Sequence, residues 1–298
     1  MAQMSNYQGP LAGVNVIDFG HYYAGPIAGV LLADQGANVI RIVKPSKPEL
    51  REQQYRLLNR KGFPGKRSIL TDVKTAPGRQ VFDKLISWSD VVVHNSLDDT
   101  AIRLGVTHDQ LRKINSGVVS CQMSGFGGTY RNGWEWRAGV EPVLQGASGL
   151  MAQSGTLETP LWHGIVAAAD CIGGLGLAFA SLLGVYQRLI TGHSQEVRTS
   201  LARATNHYQL PNMIAKNGSS DWGEVNGQFA LGQNFWQRLY ACHDGWIFVG
   251  TREDKSEKLM RVVIGQDIAD EKLLEMTFIQ HDCEYWQAKL QAAEIGCH

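Results

Sequence analysis

Val14-Asn-Val-Ile-Asp-Phe-Gly-His-Tyr-Tyr-Ala-Gly-Pro-Ile-Ala-Gly-Val-Leu-Leu-Ala-Asp-Gln-Gly-Ala-Asn-Val-Ile-Arg-Ile-Val43 is the stretch that decides the fold. It opens with a short apolar run, Val14–Asp18, followed by a turn punctuated by Gly20, Gly25 and Pro26. Ile27–Gln35 then reads as a helix and Ala37–Val43 as a second strand. Strand, helix and strand joined by short connections make a βαβ unit with parallel strands. The loop after the first strand lies at its carboxyl end, where open α/β sheets bind ligands. Its glycine spacing departs from G-x-G-x-x-G, so the dinucleotide fingerprint is absent.

The alternation continues along the chain. Pro77–Trp88 predicts a helix, Asp90–His94 a strand, Thr107–Ile114 a helix and Gly117–Met123 a strand. Lys44–Lys74, with Pro45, Pro48 and Pro64, reads as polar and irregular, and Ser124–Arg137 as a glycine- and aromatic-rich loop. Helices are expected near Glu141–Leu150 and over Asp170–Ile190, then a strand at Gln195–Thr199 and a helix at Leu201–Ile214. The expected fold class is α/β: a doubly wound, Rossmann-like large domain over 1–215. Residues 216–235 read as a linker and glycine loop. Residues 236–298 read as a smaller α+β domain, with a hairpin turning at Asp244-Gly245 and helices at Asp254–Ile264 and Glu284–Ala293.

Charge and composition narrow the function. Lys+Arg and Asp+Glu balance at 28 each, which gives no electrostatic case for nucleic acid or an anionic membrane. Cys121, Cys171, Cys242, Cys283 and Cys297 are scattered, with no C-x-x-C pair, so neither a disulfide framework nor a zinc site is expected. The first residues lack a basic stretch followed by an apolar one, and the expected location is cytoplasmic. The Asp170–Gln187 run resembles a membrane span, but its glycines and its leading acid favour a buried core helix.

That acid is the sharpest chemical signal. Asp170 heads a run with no other charge between Glu158 and Arg188. A carboxylate placed there is either a helix cap or a group with a chemical role. Gly173, Gly174 and Gly176 follow within two turns, and the expectation is that they leave room for a bulky ligand beside the helix start.

An ordered set of motifs runs along the chain: Pro10–Phe19, Ala24-Gly-Pro26, Leu32–Arg41, Lys66-Arg-Ser68, Ser89–Asn95, Arg103-Leu-Gly105, Ser124-Gly-Phe-Gly127, Ala169-Asp170 with Gly173-Gly174, and Thr191–Gln195. Together they resemble the class III CoA-transferases, the group of formyl-CoA transferase, L-carnitine CoA-transferase, BaiF-type proteins and α-methylacyl-CoA racemases. The resemblance implies that Asp170 is a nucleophile attacking an acyl-CoA thioester, giving an aspartyl mixed anhydride and then an aspartyl-CoA thioester. It implies coenzyme A as substrate, no metal, and CoA contacts from His21, Tyr23, Ala24, Arg41, Lys66, Asn95 and Arg103. Gly232 and Gln233 resemble the mobile glycine loop that shields the intermediates, and Glu141 a residue that orients the Asp170 region or the substrate. A helix-terminal acid is the plainer reading of Glu141.

The implied partners are an acyl-CoA and a carboxylic acid acceptor, in an interlocked homodimer. Family members also carry a C-terminal segment that returns to the large domain, and this chain resembles a form lacking it. Two alternatives stay open. One is a racemase or isomerase on the same scaffold, opposed by Val140, which stands where the racemases have a basic histidine. The other is a non-catalytic CoA-binding homologue. Tyr130, Trp134, Trp136, Trp162 and Trp236 suggest an aromatic acceptor pocket suited to an onium acid, or ordinary core aromatics.

Overall fold

The computed structural model describes residues 9–45, 64–127, 133–134, 137–156, 158–162, 167–210, 227, 230–266 and 270–298. They divide into two compact units, Met1–Met151 with Trp162–Met213, and Ala152–Leu161 with Ile214–His298.

In the first unit, β1 (Asn15–Asp18), β2 (Asn38–Val43), β3 (Arg67–Leu70), β4 (Val91–His94), β5 (Val119–Ser124) and β6 (Gln195–Ser200) form one parallel sheet. The order β3-β2-β1-β4-β5-β6 is the doubly wound one, with its switch point between β1 and β4. Strand alternation splits the core between two faces. Val16, Val39, Val91, Val93, Val119 and Cys121 face α1 (Ala24–Asp34) and the long helix α7 (Ala168–Thr191). Ile17, Ile42, Val92 and Val118 face Phe82 and Ile86 of α2 (Ala76–Trp88).

Several elements correct the sequence expectation. β3 lies inside the stretch read as irregular, and its burial explains why: on this edge strand only Ile69 is even half-buried, so no apolar alternation marks it. Helix α3 (Asp98–Leu104) was not expected either; it precedes α4 (His108–Arg112) and the two are separated by Gly105 in the left-handed conformation. The expected helix Glu141–Leu150 is two pieces, α5 (Glu141–Ala147) and α6 (Leu150–Ser154). The helix expected over Leu201–Ile214 is α8 (Leu201–Tyr208); positions 211–214 of that reading lie outside the described residues.

By length and composition α7 is apolar enough to cross a membrane. In the fold, one side of it is the central core helix. Gly173 and Gly174 are buried. A Cβ at Gly173 would meet Leu201 Cδ2 at 2.3 Å, and one at Gly174 would meet Ile27 Cγ2 at 2.5 Å and the Ala24 carbonyl oxygen at 2.9 Å. The expectation that these glycines open space for a ligand is therefore corrected: they let α7 close onto α1 and α8. The opposite side of α7 exposes Leu175, Phe179, Leu183, Tyr186, Leu189 and Ile190.

The second unit has an antiparallel sheet, β7 (Gly232–Asn234), β8 (Gln237–Ala241) and β9 (Trp246–Gly250), in that order. Helices α9 (Ser256–Ile264), α10 (Glu271–Phe278) and α11 (Cys283–Ala292) cover it around Tyr240, Ile247, Leu259, Phe278 and Trp286. Gly296–His298 pair with β9, as Gly250 donates to the Gly296 carbonyl and Phe248 to that of His298, each at 2.9 Å.

The close helix contact yields a paired prediction. Gly174→Ala is expected to destabilise by about 1–3 kcal/mol through overpacking against Ile27 and backbone. Gly176→Ala meets nothing nearer than Thr199 Oγ1 at 4.0 Å. It is expected to stabilise by about 0.5–1 kcal/mol through helix propensity. Chemical denaturation of both variants checks the opposite signs.

Candidate active site

Asp170 sits in the first turn of α7 and lines a cavity of about 190 Å³. Tyr22, Tyr23, Ala24, Asn95, Glu141 and Leu201 line the same space. The start of α7 lacks a local side-chain cap, because Ala167 occupies the cap position with φ 41°. Glu141, from the first turn of α5, supplies the cap instead. Its Oε2 accepts from the Asp170 backbone N–H at 2.6 Å and its Oε1 from Ala169 N–H at 3.1 Å. Gln145 Nε2 donates to Oε1 at 2.7 Å, one helical turn along α5.

This arrangement fixes the electrostatics of Asp170. The backbone N–H groups that would stabilise its charge are taken by another carboxylate. Burial, and secondarily the nearby Glu141, raise the Asp170 pKa to about 6. The Tyr23 phenol pKa is raised by burial first, then by Cys171 and Asp170. Ala167 and Tyr22 (φ 58°) are left-handed non-glycine residues. Backbone strain of that kind concentrates at functional sites.

The loop between β1 and α1 is held from below and from the side. Asp18 and Lys66 form an ion pair at 2.6 Å with both side chains fully buried. Asp18 Oδ1 also accepts from Gly20 N–H at 2.8 Å, and Lys66 Nζ donates to the Pro26 carbonyl at 2.8 Å. Asn95, just after β4, grips the loop: His21 N–H donates to its Oδ1 at 2.7 Å, and its Nδ2 donates to the His21 carbonyl at 2.8 Å. Gly20 and Gly25 permit this closure, since a Cβ on either would lie within 2.9 Å of the other's backbone.

A second cavity, of about 170 Å³, lies where His21, Lys44, Asp72, Lys74 and Arg103 meet. His21 rests edge-on to Phe19 at 5.6 Å, and its pKa is lowered by burial and then by Arg41. Arg103, in the last turn of α3, donates to Thr100 Oγ1 at 2.9 Å.

The sequence-derived residues thus fall into groups. Tyr23, Ala24, Asn95 and Glu141 join Asp170 at one cavity, while His21 and Arg103 line the other. Arg41 and Lys66 line neither. Arg41 is buried in β2 beside Asp18, and the Lys66 ammonium would have to leave its ion pair to reach a ligand. Gly232 and Gln233 belong to the second unit, on β7, beside a pocket that includes Arg252 and Lys255.

Sequence reasoning missed Lys44, Asp72 and Lys74. Once β3 is recognised, Asp72 and Lys74 follow a strand's carboxyl end, as Lys44 follows β2, and that position is the signal. The aromatic acceptor pocket is corrected: among the described residues, Trp134 packs on Phe126 and Arg137, Trp162 is exposed, and neither lines the Asp170 cavity. Trp236 belongs to the second unit, and Tyr130 and Trp136 lie outside the described residues. Among the described residues no group of three or more His, Cys, Asp or Glu side chains is arranged to hold a metal ion.

The family description "CoA-transferase family III" matches residues 11–298. The chain is 29% identical over 299 residues to the CoA-transferase/lyase DddD of Marinomonas sp. (strain MWYL1), covering 99% of this chain and 36% of that protein. It is 30% identical over 220 residues to a succinate–glutarate CoA-transferase of Agrobacterium fabrum, covering 67% of this chain and 53% of that one. The chain thus spans about half or less of the length of these curated relatives. Among solved structures, a CAIB/BAIF family protein from Brucella suis superposes with a TM-score of 0.79 at 23% identity, over 98% of this chain and 84% of that one. That likeness is one of fold.

The raised pKa carries a stability prediction. An acid whose folded pKa lies above its unfolded value loses folded-state stability as pH rises from about 4 to about 6. Asp170→Asn removes that penalty and is expected to stabilise the protein at pH 8 by up to about 3 kcal/mol, at about 1.4 kcal/mol for each pH unit between about 4 and about 6. The advantage over the unsubstituted chain should vanish below pH 4. Denaturation of both proteins at the two pH values checks it, and equal stability at pH 8 would contradict the electrostatic account.

Proposed function

The chain belongs to CoA-transferase family III, and from that premise we propose that it moves coenzyme A from an acyl-CoA donor to a free carboxylic acid, with Asp170 as the covalent carrier. The observation that carries the proposal is the Asp170 carboxylate, half-buried at a cavity, its helix-start donors taken by Glu141 and its pKa raised to about 6. A carboxylate of that pKa is more basic than an ordinary one, hence the better nucleophile, yet still mostly ionised at neutral pH.

In this reading Asp170 attacks the thioester carbonyl, the C–S bond breaks, and an aspartyl-acyl anhydride and CoA thiolate result. The thiolate attacks the aspartyl carbonyl and releases the donor acid, leaving an aspartyl-CoA thioester. The acceptor carboxylate then attacks that thioester, releasing thiolate and forming a second anhydride. The thiolate closes the cycle at the acceptor's acyl carbon, giving the new acyl-CoA and free Asp170. Each step exchanges one acyl bond for another and consumes no proton. Water must be excluded throughout, because it would hydrolyse the anhydrides.

For the CoA phosphates the reading assigns Lys44, Lys74 and Arg103 around the second cavity, cations suited to phosphate groups, with His21 and Asp72 beside them. The thioester end would reach the Asp170 cavity across the loop gripped by Asn95. Val140 lines the Asp170 cavity without a titratable group, so an α-proton transfer reading gains no support there.

The reading includes a cytoplasmic homodimer. The exposed apolar side of α7 supports a second copy as its cover, since Leu175, Phe179, Leu183, Tyr186 and Ile190 follow helical spacing, and apolar patches on a surface mark interfaces. Phe179→Glu with Leu183→Glu is expected to shift the mass measured by light scattering from dimer to monomer. An unchanged mass would remove α7 from the interface.

Incubation with an acyl-CoA followed by hydroxylamine or borohydride trapping and mass spectrometry is expected to place an adduct on Asp170, lost in Asp170→Asn along with CoA exchange. An active Asp170→Asn enzyme would defeat the proposal. kcat/KM should fall as pH drops through about 6. Glu141→Gln, by removing a negative neighbour, should move that limb to lower pH.

A further inference from the structure

Another cavity, of about 170 Å³, opens on the face of the sheet away from α7. Its floor follows from strand register. His94 pairs with Gln122 and Gln122 with Arg198, while Ser120 pairs with Glu196, so these five share one face across β4, β5 and β6. Closer to β1 this face is apolar, where Ile17 and Val92 meet Phe82 and Ile86 of α2. At β5 and β6 the floor is polar and walled by Asp98 and Ile102 of α3 and His108 of α4.

His94 is the telling residue. It is 2% exposed, it lines the cavity, and among the described residues its Nδ1 has no hydrogen-bond partner. Native folds rarely leave a buried polar atom unpaired, so the missing partner points to a ligand. Burial lowers the His94 pKa to about 4, so the ring is neutral at neutral pH, and in the Nε2–H tautomer its unpaired Nδ1 is an acceptor.

The rest of the lining gives the ligand's chemistry. Among the described lining residues Arg198 is the one permanent cation, and it is already shared between Glu196 at 2.8 Å and Asp98 at 3.5 Å. Gln122 donates both amide hydrogens, to the Ser96 carbonyl and to Asp98 Oδ1. His108 Nδ1 is matched with Ser120 Oγ at 2.7 Å. Two carboxylates, one guanidinium and neutral imidazoles leave one net negative charge and a surplus of acceptors. An anion would meet repulsion there, whereas a donor-rich cation would complete the set.

We propose that this cavity is a binding site for a small primary ammonium compound, its ammonium against Asp98 and Glu196 and a second donor, such as a hydroxyl, at His94. The size agrees, since a cavity of about 150 Å³ holds a six-carbon ring. α3 connects this site to the other: Asp98 and Ile102 line it, while Thr100, Arg103 and Leu104 line the cavity assigned to the CoA nucleotide. The inference does not depend on the transferase reading, and its test uses no coenzyme A.

The probe is ethanolammonium chloride, titrated into the full chain against sodium chloride at matched ionic strength while the ring signals of His94 and His108 are followed by NMR. A saturable shift is expected with ethanolammonium alone. Glu196→Gln and Asp98→Asn should each weaken it about tenfold, the loss expected for one charge-assisted hydrogen bond. Both side chains are solvent-accessible, so the variants should keep the parent's thermal midpoint. Absence of a saturable shift overturns the proposal. So does an equal response to sodium acetate, which would make Arg198 an anion site, or unchanged affinity in both variants.

Discussion

The approach of α7 to α1 at Gly174 is the constraint on which the first unit depends. No side chain fits there: a single added carbon would stand 2.5 Å from Ile27 and 2.9 Å from the Ala24 carbonyl oxygen. Ala24 is also the first residue of α1 and a wall of the Asp170 cavity. The contact that packs the core therefore also sets the distance between the helix that carries Asp170 and the loop after β1. Packed interiors transmit such shifts, since they have little free volume to absorb them. A substitution at Gly174 would thus disturb both stability and site.

Electrostatics at the head of α7 run against the usual arrangement. A helix start ordinarily stabilises an acid in its first turn. Here Glu141, reaching over from α5, accepts from the N–H groups of Ala169 and Asp170, and the Asp170 carboxylate is left half-buried beside a second negative group. One acid satisfies the backbone and the other keeps a raised pKa. The two readings of Glu141 taken from sequence, a helix-terminal acid and an orienting group, are here one geometry: it begins its own helix and caps its neighbour.

Much of the fold was legible because each central strand is an apolar run bounded by turn residues. Val16-Ile17 and Val91-Val92-Val93 are buried on both faces of the sheet, and a two-sided strand has few ways to hide in a sequence. Edge elements were not legible. β3 leaves Arg67, Ser68 and Leu70 exposed, so its period carries no information. That omission also hid Asp72 and Lys74, whose significance depends on their following a strand. Asp170 stood out as a lone acid in an apolar run. The roles of Gly173, Gly174 and Lys66 did not, because all three depend on residues far away in sequence: Leu201, Ile27 and Asp18.

Asn95 joins the two cavities in a way that composition alone could not reveal. Its amide is occupied at both ends by the His21 backbone, and its side chain still lines the Asp170 cavity. Beneath the same loop, the fully buried Asp18–Lys66 pair holds Gly20 and the Pro26 carbonyl. Burying two charges is favourable only where their remaining hydrogen bonds are satisfied, and here the loop itself satisfies them. The loop is thus part of the ion pair's solvation, and moving it would cost the pair its hydrogen bonds. A long ligand reaching both cavities would pass this loop, with its anionic end at Lys44, Lys74 and Arg103 and its reactive end at Asp170. The loop's hydrogen bonds would then set which substrates fit, by the distance between their charged and reacting groups.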